Sequence, residues 1–175
     1  MTIVSELSAP VALVRDAAAC PRWAALCKES RVVRTESETD LYVYNYNDLP
    51  WPVSDRDAVA HVVWHQDPSN LAVTMTATAV PGIVPEERKA VRLVSAVTRW
   101  RFEPVGEGRI LIVSEAHVDP EGPIPAWITN MLLVDSPLKT MQNMREELAT
   151  GEYDNAHFDF VVEPAPLNAS VQRDQ

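Results

Sequence analysis

The chain has 175 residues, of which 46% are hydrophobic, and a formal net charge of −10 at pH 7. This length fits one domain that can hold both a core and a cavity. The acidic balance argues against nucleic-acid binding, which needs a basic footprint, and disfavours lasting adsorption to anionic lipid. No apolar run approaches membrane-spanning length, and the N-terminus lacks the basic and apolar blocks of a signal peptide, so we expect a cytoplasmic protein.

The N-terminal segment predicts one short strand followed by two short helices. Thr2 to Leu7 alternates weakly, Ser8-Ala9-Pro10 is typical of a helix start, and Pro21 divides the following apolar positions into two helices in series. Cys20 and Cys27 are too far apart for a disulfide if this helical segment is continuous, so we interpret them as reduced thiols. Neither the cysteines nor the histidines have metal-site spacing, and we expect no metal or other cofactor.

Three hairpins are predicted after these helices, because runs rich in β-branched and aromatic residues are separated by polar turns. Leu71 to Val80 alternates between apolar and threonine-rich positions, as in a sheet with one face on a core and one in water. The paired ranges are Arg31 to Thr35 with Leu41 to Tyr46, Ala58 to Gln66 with Leu71 to Val80, and Ala90 to Glu103 with Arg109 to Val118.

The connection between the first two hairpins, residues 47–57, reads Asn-Asp-Leu-Pro-Trp-Pro-Val-Ser-Asp-Arg-Asp. Prolines on both sides of Trp51 fix an extended backbone and remove two donors, so we expect a rigid corner. The guanidinium of Arg56 can hold this corner through charge-assisted hydrogen bonds to the adjacent carboxylates. We therefore assign structural roles to Trp51, Arg56 and Asp57.

A loop and a long helix complete the pattern. In the loop of residues 81–89, Ile83 and Val84 either tuck under the sheet edge or form a gate over a cavity. Ile124 to Thr150 is apolar over more than one stripe, which predicts a helix buried over much of its circumference, and Pro137 should kink it near residues 133–136. We expect residues 1–150 to form the domain.

Residues 151–175 form a polar, proline-bearing tail. Its one apolar cluster can pack back on the body of the protein, and we expect the final residues to be disordered. The cluster contains Phe158, Phe160, Val161 and Val162.

Three stretches together resemble START domains, the steroidogenic-acute-regulatory-related lipid-transfer family. They are the Pro-Trp-Pro-Val-Ser-Asp-Arg-Asp corner with its valine-rich strand, Val91-Arg92 with Trp100, Phe102, Glu103 and Pro104, and residues 117–130 before the long helix. The resemblance spans about Ser8 to Leu148. It implies an α+β helix-grip fold, in which a curved seven-stranded antiparallel sheet wraps around the C-terminal helix and two short helices follow the first strand.

The resemblance also implies a hydrophobic tunnel between helix and sheet. START domains usually begin with a further helix and two more strands, so this shorter chain should leave a sheet edge open unless a partner or the C-terminal tail covers it. Serines and an asparagine on the wall would orient a ligand head group, and methionines suit an adaptable wall, although ordinary core is the alternative for each methionine. The implied ligand-binding residues are Val62, Trp64, Val73, Met75, Ser95, Trp100, Ser114, Asn130, Leu133, Met141 and Met144.

No spacing in the sequence demands a catalytic nucleophile, a carboxylate pair or a phosphate loop, so we name no catalytic residue. His61 and His65 share one face of a strand, and we expect that face to be in solvent because the alternate residues are apolar. Glu115 and His117 share a face of another strand. A buried pair there could do acid–base chemistry, but an exposed pair is favoured.

These observations favour a non-enzymatic protein that binds a lipid or another hydrophobic small molecule. Transport of that molecule, with transient membrane contact, is the further hypothesis. The alternative is a cyclase or aromatase type of enzyme that acts on a hydrophobic substrate in the same tunnel. A third hypothesis is a homodimer through the open sheet edge, with a vestigial cavity.

Overall fold

The structure is a computed structural model and describes residues 1–165. Within these residues, no helix is both long enough and apolar enough to cross a membrane. The strands are β1 (Thr2–Val4), β2 (Cys27–Ser37), β3 (Asp40–Asn47), β4 (Asp55–Gln66), β5 (Val73–Ala79), β6 (Ala90–Arg92), β7 (Ala96–Pro104) and β8 (Arg109–Val118). The helices are α1 (Ser8–Arg15), α2 (Cys20–Trp23), α3 (Ala126–Asn130) and α4 (Ser136–Leu148), with a 3-10 turn at Ala17–Ala19 and a π-helical turn at Met131–Asp135.

The predicted helix-grip fold is confirmed. The sheet order is β1-β8-β7-β5-β4-β3-β2 with antiparallel neighbours, and the short β6 pairs in parallel with the start of β4. The sequence predicted one strand over Ala90 to Glu103, whereas the structure divides it in two. Leu93 N donates to Asp57 O and Ser95 O accepts from Asp119 N, both at 2.8 Å. Residues 93–95 thus cross from the start of β4 to the end of β8, and a single straight strand cannot span that path.

The C-terminal helical segment is interrupted where Pro137 was predicted to kink it. Pro137 lies in the first turn of α4, directly after the π-helical turn. The prediction that the helix is buried over much of its circumference is wrong, because Ile128 and Met144 alone are buried in residues 126–148, and Leu133 is 72% exposed. The π turn changes the rotation of the helix, so the apolar positions before, within and after the turn do not all lie on the helix face that packs against the protein.

The filled core lies where the inner face of β5, β7 and β8 meets α1 and α4. Trp23 meets the edge of Trp100 with ring centroids 5.7 Å apart, and Trp100 stacks on Phe102 at 6.3 Å. Such contacts add to the burial energy of each large ring. Other fully buried members are Leu7, Val11, Leu13, Val73, Ile110, Ile112 and Met144.

Cys20 and Cys27 form a disulfide with their Cα atoms 6.0 Å apart, so their interpretation as reduced thiols is wrong. That interpretation assumed a continuous helix. In the structure, α2 ends at Trp23, Ala24 is extended, and Leu26 has a left-handed φ of 71°. The chain therefore reverses, and Cys27 opens β2 beside Cys20. Disulfides are rare in reduced cytosol, so the cysteines no longer support a cytoplasmic location.

Residues 151–165 of the tail pack against the body. Tyr153 and Val161 are buried, and the carboxylate of Glu163 accepts hydrogen bonds from Leu7 N and Ser8 N, both at 2.7 Å. These amides open α1, where a negative charge is favourable. The tail thereby closes the start of the first helix. The predicted disorder of the final residues concerns positions outside the described part of the chain.

Candidate ligand-binding site

A cavity of about 310 Å³ lies between the inner face of the sheet and the helices. Its wall comes from β3, β4, β5 and β7 on one side and from the α1 to α2 segment on the other, with Thr140 of α4. The lining is mostly apolar. Ligand pockets commonly measure about 300–1,000 Å³, so this cavity is large enough for one small molecule.

Small side chains at alternate strand positions create the space. On β4, Ala58 and Ala60 precede the larger Val62 on the same face. Ala60 lies directly opposite Ala79 of β5, and Ala77 lies opposite Val62. Protein interiors are normally filled to crystal-like density, and two facing alanines leave a gap that leucine or phenylalanine would fill. The period of two along β4 and β5 was the sequence signal for this wall.

Four of the predicted ligand-binding residues line the cavity: Val62, Trp64, Met75 and Trp100. Register explains why three of them are neighbours, since Met75 pairs with Trp64 on one side and with Trp100 on the other. Trp64, Met75 and Trp100 form a row across the adjacent strands β4, β5 and β7.

The other predicted ligand-binding residues lie elsewhere. Val73 and Met144 are buried in the filled core with Met141 packed against it, which is the alternative foreseen for the methionines. Ser95 and Asn130 are exposed, so they do not serve as head-group contacts in this arrangement. Ser95 lies in the crossing between β6 and β7, and Asn130 directly precedes the π turn. The remaining two, exposed Leu133 and half-buried Ser114, are also absent from the lining.

Several polar lining residues were missed from the sequence. Asn45 and Asn47 continue on β3 the inner-face alternation of Leu41 and Val43, a signal that was available. Trp23 comes from α2, and no strand pattern could have placed it. Further polar members of the lining are Ser30, Thr98 and Thr140.

The lining contains one cation and one anion, Arg15 and Asp16. The guanidinium of Arg15 lies 5.6 Å from the Trp64 ring centroid and donates to Glu38 O at 2.6 Å. Burial lowers the pKa of Arg15. The Asp16 carboxylate accepts the Tyr153 hydroxyl at 3.0 Å, and burial together with this bond raises the pKa of Tyr153 to about 12. Both charged groups are therefore engaged by the protein.

The corner of residues 47–57 is held differently from the prediction. Arg56 donates to carbonyl oxygens, Ser54 O at 2.5 Å and Pro120 O at 2.8 Å, instead of to the adjacent carboxylates. Those carboxylates have other partners, because Asp55 accepts the Tyr46 hydroxyl and Asp57 is bound by an arginine of β6. Arg56 and Asp57 are buried, in keeping with structural roles. Trp51 is 89% exposed, so its ring does not anchor the corner.

The histidines and the Glu115–His117 pair lie outside the cavity. His65 is exposed, and His61 is partly exposed with its Nε2 2.7 Å from Asp40 Oδ1. This arrangement confirms the solvent-facing prediction. Glu115 and His117 are both exposed, as the favoured interpretation predicted.

Comparison with known proteins agrees with the fold. A family model for the START domain matches residues 1–150. An uncharacterized protein of Pseudomonas aeruginosa is 31% identical over 143 residues, which cover 82% of this chain and 70% of that protein. The crystal structure of a STAR-related lipid transfer protein from Xanthomonas axonopodis is 30% identical with a TM-score of 0.75, and the match covers 85% of this chain and 82% of that one.

An aromatase/cyclase from Streptomyces sp. R1128 has a TM-score of 0.54 at 9% identity, with 86% of this chain and 88% of that chain covered. At this identity the likeness extends to the fold alone. The match over residues 1–150, together with the helix-grip architecture, shows that the chain belongs to the START domain family.

Proposed function

We propose that the protein binds a lipid or another hydrophobic small molecule in the cavity and carries it without chemical change. The observation that carries this proposal is the mostly apolar cavity of about 310 Å³ inside a START fold. Affinity would come from apolar surface removed from water, about 25 cal/mol per Å² before the costs of binding. The volume favours a single-chain or compact ring compound over a two-chain phospholipid.

The composition of the cavity wall supports a binding role over an enzymatic one. General acid–base catalysis needs a titratable group within reach of the substrate. Asp16 is the one carboxylate among the described lining residues, and it is bound by Tyr153 and by Ala19 N. The cysteines of the lining are joined in a disulfide. A cyclase or aromatase activity is therefore the less favoured alternative.

Exposed apolar side chains on the C-terminal helical segment support transient membrane contact during ligand exchange. Trp127, Leu133, Val134 and Leu138 are each more than half exposed. Ligand access would also require movement of the loop at residues 81–89, in which Ile83 is 36% exposed. We propose that these two segments form the route into the cavity.

Homodimerisation through the sheet edge and a cytoplasmic location stay predictions. The edge strand β2 carries exposed Lys28, Arg31 and Arg34, and charges on an edge oppose pairing with a second copy. The Cys20–Cys27 disulfide favours an oxidising compartment. Sedimentation analysis and cell fractionation would decide these two points.

Native mass spectrometry of the purified protein, followed by organic extraction, tests binding. We expect a stoichiometric small hydrophobic molecule in the wild type and its absence from Ala77→Leu, which fills the cavity between Val62 and Thr98. A bare wild-type mass, with no uptake of fluorescent fatty acid, sterol or phospholipid analogues, would refute the proposal.

Transfer is tested separately with phosphatidylcholine vesicles that carry a fluorescent fatty acid. Leu133→Asp with Leu138→Asp should slow transfer between vesicles and leave affinity in solution unchanged, because neither residue lines the cavity. Equal transfer rates for variant and wild type would argue against membrane contact through this segment.

A further inference from the structure

Residues 151–165, which we call the strap, lie against one end of the cavity wall. They follow α4, form no helix or strand, and lie beyond the residues 1–150 that match the START family. Three residues of the cavity lining, Arg15, Asp16 and Trp64, also contact the strap. At this end, the cavity and the strap are therefore separated by the thickness of one side chain.

The Arg15 side chain belongs to the wall at this end, and the strap holds it in place. The guanidinium carbon of Arg15 lies 5.6 Å from the ring centroid of Trp64. It lies 5.0 and 5.5 Å from the ring centroids of Phe158 and Phe160 in the strap. An arginine side chain has many rotamers, so it keeps one position only where its neighbours restrict it. The two phenylalanines supply part of that restriction.

Two sets of polar bonds fasten the end of the strap to the body. The Glu163 carboxylate accepts hydrogen bonds from Leu7 N and Ser8 N at the start of α1, both at 2.7 Å. Gln66, the last residue of β4, exchanges hydrogen bonds of 2.8 and 2.9 Å with the backbone of Val162. The strap is thus attached to a helix and to a strand that both contribute to the cavity wall.

The strap has the properties of a segment that opens locally. Tyr153 and Val161 are its buried residues, and the others are exposed or half-buried. The bonds between Gln66 and Val162 are exposed, so water competes for them. Segments with few buried contacts and solvent-exposed hydrogen bonds open at a much lower free-energy cost than global unfolding. Release of the strap therefore leaves the sheet and its core intact.

We propose that the strap is a releasable closure of the cavity, which holds Arg15 and Trp64 in place while a ligand is bound and frees Arg15 when it lifts. This inference rests on the proposed binding function and adds a control point to it. The strap lies at the far end of β4 from the loop of residues 81–89, because Gln66 ends β4, whereas β6, which follows that loop, pairs with its start. Ligand exchange thus has a second control point, remote from that loop.

Hydrogen exchange of the ¹⁵N-labelled wild type, followed by nuclear magnetic resonance, measures strap release directly. Amides that open a helix have no acceptor within it, so the protection of Leu7 N and Ser8 N depends on Glu163. We expect these amides and Val162 N to exchange together, at least about tenfold faster than amides at the centres of β5 and β7. cis-Parinaric acid, a fluorescent fatty acid, should slow all three, because ligand binding and strap closure favour each other.

A variant of the strap tests its control of ligand exchange. Glu163→Gln keeps one acceptor oxygen but turns an NH₂ group toward the second backbone N–H. It should release cis-parinaric acid about five- to tenfold faster than the wild type when chased with excess oleic acid in stopped-flow fluorescence. Asp159→Asn is the matched control, because it removes the same charge from an exposed position of the strap and should change the rate by less than about twofold.

Three outcomes separate this inference from the binding proposal. Exchange of Leu7 N, Ser8 N and Val162 N as slow as that of the sheet would mean that the strap lifts only on global unfolding, and would overturn the inference. Equal dissociation rates for Glu163→Gln and Asp159→Asn would also overturn it and leave the binding proposal standing. A wild type that takes up no fatty acid, sterol or phospholipid analogue and carries no extracted ligand would overturn both.

Discussion

Asp57 and Arg92 form a buried two-point ion pair, with Nε 2.9 Å from Oδ1 and Nη2 2.8 Å from Oδ2. The Asp57 side chain is fully buried and that of Arg92 is 5% exposed. Arg92 also donates to Pro85 O at 3.0 Å, so the pair joins β4, β6 and the loop of residues 81–89. Its hydrogen bond to Asp57 raises the pKa of Arg92, and burial beside the same carboxylate raises the pKa of Tyr44 to about 12.

Removal of either partner should therefore leave an uncompensated buried charge. We expect Asp57→Ala or Arg92→Ala to lower the free energy of unfolding by about 3–5 kcal/mol, and the double variant to lose less than the sum. Urea denaturation measures all three. Arg34→Ala is the control, because the Arg34–Glu36 pair is 46% and 54% exposed and should contribute less than about 1 kcal/mol. Additive losses at Asp57 and Arg92 would show that the pair is not coupled.

The Cys20–Cys27 disulfide should stabilise the folded state by restricting the unfolded chain. For a loop closed over a sequence separation of 7 residues, the expected contribution to the free energy of unfolding is about 2–3 kcal/mol. Cys20→Ser with Cys27→Ser should lose this amount, and dithiothreitol should bring the wild type to the same value. Stability of the wild type that does not respond to the reductant would contradict the disulfide.

Filling the cavity should not destabilise the protein, because the space already exists. Ala77→Leu adds about three buried carbons at about 0.8 kcal/mol each. The free energy of unfolding should therefore stay the same or rise by up to about 2 kcal/mol. Ala19→Leu is the matched control in the filled core, where Ala19 is 2% exposed and overpacking should cost about 1–3 kcal/mol. If Ala77→Leu destabilises as much as Ala19→Leu, the space at Ala77 is not available.

Alkaline pH should weaken the attachment of the tail. The pKa of Tyr153 is about 12 in the fold, whereas a free tyrosine has a pKa of about 10. The folded state therefore holds its proton more tightly, so this stabilisation is complete below about pH 10 and declines as pH rises toward 12. The pKa of Tyr44 is also raised to about 12, so its contribution to stability declines over the same pH range.

Tyr153→Phe removes the titrating hydroxyl of this residue and its hydrogen bond to Asp16. The stability difference between wild type and this variant, measured by urea denaturation, should be larger at pH 9 than at pH 11. A difference that does not change with pH would exclude a role for this hydroxyl in the pH dependence.

The local pattern of the sequence was enough to predict most strands and helices and which residues share a face, whereas the helix-grip fold and its tunnel were implied by the resemblance to START domains. Period-two alternation on β4 places Ala60, Val62 and Trp64 on one face whatever the rest of the chain does, because side-chain direction alternates in any strand. The proline-flanked corner and the helix break at Pro137 were likewise predictable, since proline restricts its own backbone and the residue before it.

Other features depended on contacts between distant segments. Cys27 reaches Cys20 only because the chain reverses at Leu26, and Ser95 lies exposed outside the cavity, in the segment of residues 93–95 that crosses between strands. The attachment of the strap depends on which groups of α1 and β4 come within bonding distance of residues 151–165. The sequence alone determined which way side chains point along each element, because backbone periodicity is local. Only the tertiary structure decided which polar atoms become partners, because these hydrogen bonds join residues far apart in the chain.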